Sequence, residues 1–274
     1  MGEKSVSDHF KSLLIDIGNT KIKYAFVSDE SDLNAVESCF NASGLRAQIR
    51  EANQVLVSSV GHKSIADELQ RICEYENTPC KILQTEAETL GIQCAYKQFY
   101  TLGVDRWLAI LAAREITHLP VAVIDLGTAN TCDIVVENHH KGGWISPGFS
   151  VMRDSLIENT QDVFANTTLP DSLDMGKVTP DCVNFGCLAS QIGFVVMAEQ
   201  YLSSRYEDYV VLVTGGGQHS LDLQDNKKFL FFPPISFSFT LITSPKFESL
   251  YLSGIVIEKS TRSLSRNGTR DSKE

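Results

Sequence analysis

The chain has 274 residues, 43% of them hydrophobic and 21% charged, with a formal net charge of −10. That size and balance suit a globular protein with a packed core, as one large domain or two medium ones. The acidic excess argues against the basic footprint of nucleic-acid binding, but backbone N–H groups can still hold phosphates on an acidic protein.

Residues 1–11 read as a loose extension. Strands are expected at 12–17 and 21–28, a third at 33–40, and a fourth at 54–59 (QVLVSS), ended by Gly61. Ile65, Leu69 and Ile72 recur at helical spacing and predict a helix over 63–76. A strand follows at 80–84, and then a helix over 104–117 that carries Val104, Leu108, Leu111 and Ala112 on one face and stops before Pro120. The pattern then restarts, with strands at 121–126 and 130–137 joined by Gly-Thr-Ala and a turn at Lys141-Gly142-Gly143. Helices are expected at 149–160 and 180–204, a buried strand at 209–213 running into Thr214-Gly215-Gly216-Gly217, and a final helix near 247–261. The polar tail 263–274 reads as disordered. In the helix 180–204, Gly186, Ser190 and Gly193 form a small-residue stripe that would allow close packing, within the fold or across a dimer.

The seven cysteines are odd in number and scattered, with no CxxC pair, which favours reduced thiols over a disulfide framework or a zinc site. His139 and His140 fall in an expected turn and read as solvated rather than as metal ligands. Residues 1–12 show no signal-peptide pattern, and no apolar run approaches the length of a membrane helix, so a cytoplasmic protein is expected.

Two stretches echo each other. LLIDIGNTKIKYAFV at 13–27 and VIDLGTANTCDIVV at 123–136 both run an apolar strand into an aspartate, a glycine two residues later, and a second strand. A single such hairpin is most simply a turn built from turn-forming residues. Two of them, one per half, fit better as a phosphate clamp. Gly18 and Gly127 let a ligand approach the main chain, and consecutive N–H groups cradle anions. Asp16 would repel a phosphate unless a divalent cation lies between them, most simply Mg²⁺ with several waters kept. Thr128 stands where Asn19 stands in the first copy, and Asp125 mirrors Asp16 and could hold a second cation. Two related α/β domains with a cleft between them are expected, 12–118 and 119–262, with the boundary near Thr117 to Pro120.

TLGVDRW at 101–107 places Asp105 and Arg106 at the start of a helix. Asp there is commonly a cap or a dipole partner, but Arg opposes the dipole. Arg106 could instead fork onto a substrate carboxylate, while Asp105 takes the proton of a hydroxyl attacking a γ-phosphate.

Taken together, IDIGNTKIK (15–23), LGVDRW (102–107), IDLGTANTCD (124–133), GGWISPG (142–148) and TGG (214–216) make this sequence resemble the type III pantothenate kinases over roughly residues 12 to 260. That family belongs to the superfamily of sugar kinases, acetate kinase, actin and the Hsp70 ATPase domain. The resemblance implies an α/β protein of two mixed-sheet domains with a duplicated ribonuclease-H-like, actin-like ATPase core and an interdomain cleft. The implied reaction is ATP-dependent phosphorylation of pantothenate, the first step to coenzyme A, in a homodimer that binds neither nucleic acid nor membrane. ATP would be held by Asp16, Ile17, Gly18, Asn19, Thr20, Lys21, Ile22 and Lys23, with Thr128. Asp105 would be the proton acceptor, and Tyr96, Gly103, Val104, Asp105, Arg106 and Thr179 would bind pantothenate, Thr179 from the neighbouring subunit. Asp125 would hold a monovalent cation, K⁺ or NH₄⁺, beside Mg²⁺ held by Asp16 directly or through water. The family usually carries Asn-Pro two residues after the tyrosine; here Gln98-Phe99 stand there, so the Tyr96 loop is expected to differ. A nucleotide-binding regulatory protein on the same fold, and a kinase for another small hydroxy acid, are the alternatives.

Overall fold

The computed structural model describes residues 11–18, 21–28, 36–61, 63–162, 164, 165, 167, 169–221 and 228–231. They fall into two compact units, one reaching Gln84 and the other beginning at Thr85.

In the first unit the chain runs β1 (Lys11–Ile17), β2 (Ile22–Ser28), β3 (Glu37–Cys39), a 3₁₀ turn (Ala42–Leu45), α1 (Arg46–Glu51), β4 (Gln54–Ser59), α2 (Lys63–Glu76) and β5 (Cys80–Ile82). β1 buries Leu13, Leu14, Ile15 and Ile17, so both of its faces are covered and it must lie inside a sheet. The strand order is β3-β2-β1-β4-β5. β1 is antiparallel to β2, with Asp16 opposite Lys23, and parallel to β4, with Asp16 opposite Ser58. α2 buries Ala66, Leu69, Ile72 and Cys73, a stripe at three- and four-residue spacing, and joins the core cluster of Leu13, Ile15, Ile17, Val55 and Val57.

The second unit runs β6 (Glu88–Thr89), β7 (Ile92–Gln93), α3 (Val104–Ile116), β8 (Val121–Leu126), β9 (Ala129–Val136), β10 (His139–Pro147), α4 (Phe149–Asn159), α5 (Thr179–Ser203), β11 (Val210–Thr214) and β12 (Phe229–Phe231). Its sheet has the order β12-β11-β8-β9-β10-β7-β6. Setting aside β7 and β6, the series β10-β9-β8-β11-β12 repeats β3-β2-β1-β4-β5 in order and direction: two antiparallel pairs, then two parallel ones. The echo between the hairpins is therefore an echo between whole sheets. α5 supplies Val195, Ala198 and Leu202 to the core over β8 and β11. α3 ends at Ile116, where the buried Arg114 donates hydrogen bonds to the carbonyl oxygens of Thr117, His118 and Leu119 and so ties down the link to β8.

Several expectations change. The division falls after Gln84 and not near Thr117–Pro120, because α3 packs on β8 and β9, which helical periodicity alone does not reveal. The expected turn at Lys141-Gly142-Gly143 lies inside β10. The chain turns at Glu137-Asn138, and the register shifts between His140 and Gly142, a β-bulge in which Gly142 adopts φ +103°. His139 and His140 open β10; His139 is exposed, but His140 is buried and not solvated. The third strand shortens to Glu37–Cys39, and α1, β6, β7 and β12 were not anticipated. Among the described residues one helix, α5, is long and apolar enough by length and composition to cross a membrane, with 39% of its apolar window buried. All seven cysteines carry free thiols. The expected final helix and polar tail lie outside the described residues.

Replacing the fully buried Leu69 by Ala removes packing between α2 and the first sheet. A loss of about 2–5 kcal/mol is expected in urea unfolding.

Candidate active site

The two hairpins close in the same way. Gly18 N–H donates to the Lys21 carbonyl at 3.2 Å, and Gly127 N–H donates to the Ala129 carbonyl at 3.2 Å. In the first, Asp16 and Lys23 are half-buried and Ile22 is buried, while Lys21 is exposed with its ammonium 5.6 Å from the Phe40 ring centroid. Asn19 and Thr20 lie outside the described residues. In the second, Asp125 and Thr128 are exposed, and the Thr128 carbonyl accepts Gly148 N–H at 2.9 Å. Asp125 lies opposite Thr214, after which Gly215 turns the chain at φ +95° directly against the carboxylate: a Cβ there would fall 2.5 Å from Asp125 Oδ1. No group of three or more His, Cys, Asp or Glu side chains gathers among the described residues. An ion at Asp125 would need backbone carbonyls and water to complete its shell, a set that suits a hard cation.

α3 begins with Gly103 as its N-cap, so Asp105 and Arg106 are its second and third residues. Trp107 is buried and its indole N–H donates to Thr89 Oγ1 at 3.4 Å, which pins this end of the helix. Asp105 Oδ1 accepts the Arg106 backbone N–H at 2.7 Å. A Cβ on Gly103 would fall 2.6 Å from that oxygen, so the glycine leaves room for the carboxylate. Burial pushes the Asp105 carboxyl above its usual range, and the Arg106 N–H and guanidinium pull it back only in part. A carboxylate held this way is a stronger base than a solvated one.

Arg106 is 8% exposed. Its Nε donates to Asp133 Oδ2 at 2.8 Å and its Nη2 to Asp133 Oδ1 at 2.7 Å, a bidentate pair buried on both sides. Burial alone would lower the Arg106 pKa, but the hydrogen bonds and charge of Asp133 overcome it and hold the guanidinium above its usual range. Nη1 donates to Tyr96 Oη at 3.3 Å. The Tyr96 ring stacks with His140, with centroids 6.0 Å apart and planes 19° apart, and His140 Nε2 lies 2.9 Å from Asp133 Oδ1. The guanidinium fork expected for a substrate carboxylate is thus occupied within the protein, which leaves the Nη1 end.

Tyr96, Gly103, Asp105 and Arg106 therefore come together, and Val104 is buried behind them in the first turn of α3. Tyr96 reaches Arg106 despite Gln98-Phe99, where the chain forms a short 3₁₀ turn (Phe99–Thr101). Thr179 is the exposed first residue of α5 and does not enter this network among the described residues. Asp133 and His140 were missed as site residues. An aspartate inside the apolar run CDIVV was the available signal, since a buried carboxylate needs a partner.

A sheet order repeated within one chain, each copy opening on an Asp-x-Gly hairpin, is the architecture of the actin-like ATPases and sugar kinases. Solved structures agree on the fold. A Sinorhizobium meliloti protein described as a 2-dehydro-3-deoxygalactonokinase is 10% identical, with TM-score 0.58 over 89% of this chain and 99% of its own. A Campylobacter jejuni protein described as a Baf family transcriptional activator is 20% identical, with TM-score 0.52 over 91% and 99%. Within that fold the sequence is more specific. A model of the type III pantothenate kinase family matches residues 12–200. The type III pantothenate kinase of Pseudoalteromonas atlantica is 44% identical over 82% of this chain and 94% of its own. That of Colwellia psychrerythraea is 33% identical over 76% and 86%. The chain belongs to the type III pantothenate kinase family.

The ion pair leaves no space at Gly143, where a Cβ would fall 2.5 Å from Asp133 Oδ1, 2.7 Å from Arg106 Nη2 and 2.2 Å from the Cys132 carbonyl. Gly143→Ala is expected to lose about 1–3 kcal/mol of stability through this overpacking, measured by urea unfolding.

Proposed function

We propose that the protein transfers the γ-phosphoryl group of ATP to the primary hydroxyl of pantothenate in coenzyme A biosynthesis, a reading supported by relatives named type III pantothenate kinases. The observation that carries this reading is Asp105, a half-buried carboxylate of raised pKa beside a paired guanidinium at the start of α3. Asp105 accepts the hydroxyl proton as the oxygen attacks the γ-phosphorus and the bond to the bridging oxygen of ADP breaks. The transition state is loose, so holding the reactants in line and neutralising charge matter most. Asp16 to Lys23 bind ATP phosphate, Thr128 offers a phosphate contact of its own, and Tyr96 and Gly103 to Arg106 hold pantothenate together with Thr179 of the partner subunit. The substrate carboxylate meets the Nη1 end of Arg106. Asp16 would hold Mg²⁺, directly or through water, to neutralise phosphate charge, and Asp125 would hold K⁺ or NH₄⁺ to screen its carboxylate from the nucleotide.

The exposed side of α5 supports a homodimer. Val196 and Met197 are 43% and 53% exposed, and a Cβ built on Gly186 or Gly193 would meet nothing within 4 Å. The opposite side buries Leu188, Val195 and Leu202 in the unit's own core, so we assign the free side to a second copy in a cytoplasmic protein and not to a bilayer.

Asp105→Asn is expected to lower kcat by roughly 10²- to 10⁴-fold while binding of a non-hydrolysable ATP analogue survives; comparable turnover removes Asp105 from the chemistry. The working form of Asp105 is deprotonated, so kcat should fall as pH drops through its raised pKa. The acid limb should lie above the ordinary aspartate value of about 3.9. Replacing K⁺ by a bulky organic cation should depress turnover, and activity on other hydroxy acids but not pantothenate would overturn the substrate assignment.

A further inference from the structure

We propose that Asp133 and His140 are positioning residues for the acceptor end of the site, Asp133 by setting Arg106 and His140 by setting Tyr96. The inference rests on the reading above, since it concerns how that substrate is held. Asp133 takes two donors of Arg106 at 2.7 and 2.8 Å, which fixes the guanidinium plane and directs Nη1 to Tyr96 Oη. His140 acts on Tyr96 twice. Its Nδ1 accepts the Ala95 N–H at 3.4 Å, holding the backbone just before Tyr96, and its ring stacks on the Tyr96 ring. An acceptor at Nδ1 and a carboxylate 2.9 Å from Nε2 define one tautomer, with the proton on Nε2.

The β-bulge makes this possible. Asp133 lies opposite Gly143, and His140 opposite Val135, two residues along β9 and so on the same face. Positions 140 and 143 would lie on opposite faces of a regular strand, because side chains alternate. The extra residue between His140 and Gly142 returns His140 to the Asp133 face. Without the bulge, the imidazole would point away from both Asp133 and Tyr96.

The test is steady-state kinetics of wild type, Asp133→Asn, His140→Leu and His140→Gln, with KM for each substrate measured separately. His140→Leu leaves the Arg106–Asp133 pair in place and keeps the test alive if Asp133→Asn does not fold. Asp133→Asn and His140→Leu are expected to raise the pantothenate KM about tenfold, with kcat and the ATP KM within about twofold of wild type. His140→Gln, which keeps a donor toward Asp133 but loses the ring, should fall between. A pantothenate KM within twofold of wild type in folded His140→Leu overturns the proposal, as does a parallel loss in kcat and both KM values. Wild type inert toward pantothenate overturns the proposed function itself, a result visible before any variant is compared.

Discussion

The acceptor side of this protein depends on burying a guanidinium. A charge with so little access to water is tolerable only with a well-placed counter-charge, because desolvating each ion costs several kcal/mol and removing one partner leaves that cost uncompensated, about 3–5 kcal/mol. Asp133 meets Arg106 edge to edge, and neighbouring residues accommodate the pair. Gly143 lacks a side chain where one would collide with both ions. β10 bulges so that a histidine can support the carboxylate from the same face. Trp107, the next residue of α3, anchors the helix that carries the arginine. Asp105 precedes Arg106 in the chain and is held by the Arg106 backbone N–H.

The two sides of the site differed in how far the sequence disclosed them. The two Asp-x-Gly hairpins are local: strand, Asp, one residue, Gly and strand again within about ten positions, and the copies could be compared by eye. β1, β2, β4, α2 and β8 fall where hydrophobic period and turn residues put them, α2, β4 and β8 at the same bounds. The acceptor side is assembled from residues far apart, Tyr96, Arg106, Asp133 and His140, and no periodicity links them. A bulge is harder still to foresee. Lys141-Gly142-Gly143 has the composition of a turn, and only pairing with β9 makes it a strand with one residue too many. Mistaking it for a turn also misplaced His140, since a histidine beside a turn is ordinarily solvated.

The unit boundary moved for a related reason. Composition marks no linker near Gln84, and the helix periodicity of 104–116 is the same whichever sheet it packs against. Pairing decides: β7 joins β10 at Gln93 and His139, and α3 lies on β8 and β9, so this stretch belongs with the strands that follow it. The repeated strand order, by contrast, places Asp16 and Asp125 at equivalent points, each the penultimate residue of the strand that opens its sheet core and each beside a parallel neighbour. Yet the two differ in surroundings, one half-buried opposite Ser58, the other exposed under Gly215. Duplication preserved the position and let the chemistry diverge.

Among the described residues, β6 and β7 have no counterpart in the first sheet. They are attached at the outer edge of β10, and the chain leaving β7 reaches Tyr96 three residues later. The segment carrying Tyr96 is thus reached through an addition to the repeated core, while Arg106, Asp133 and His140 stand on α3, β9 and β10. A shift of that added edge would move the tyrosine while the Arg106–Asp133 pair, on α3 and β9, kept its place.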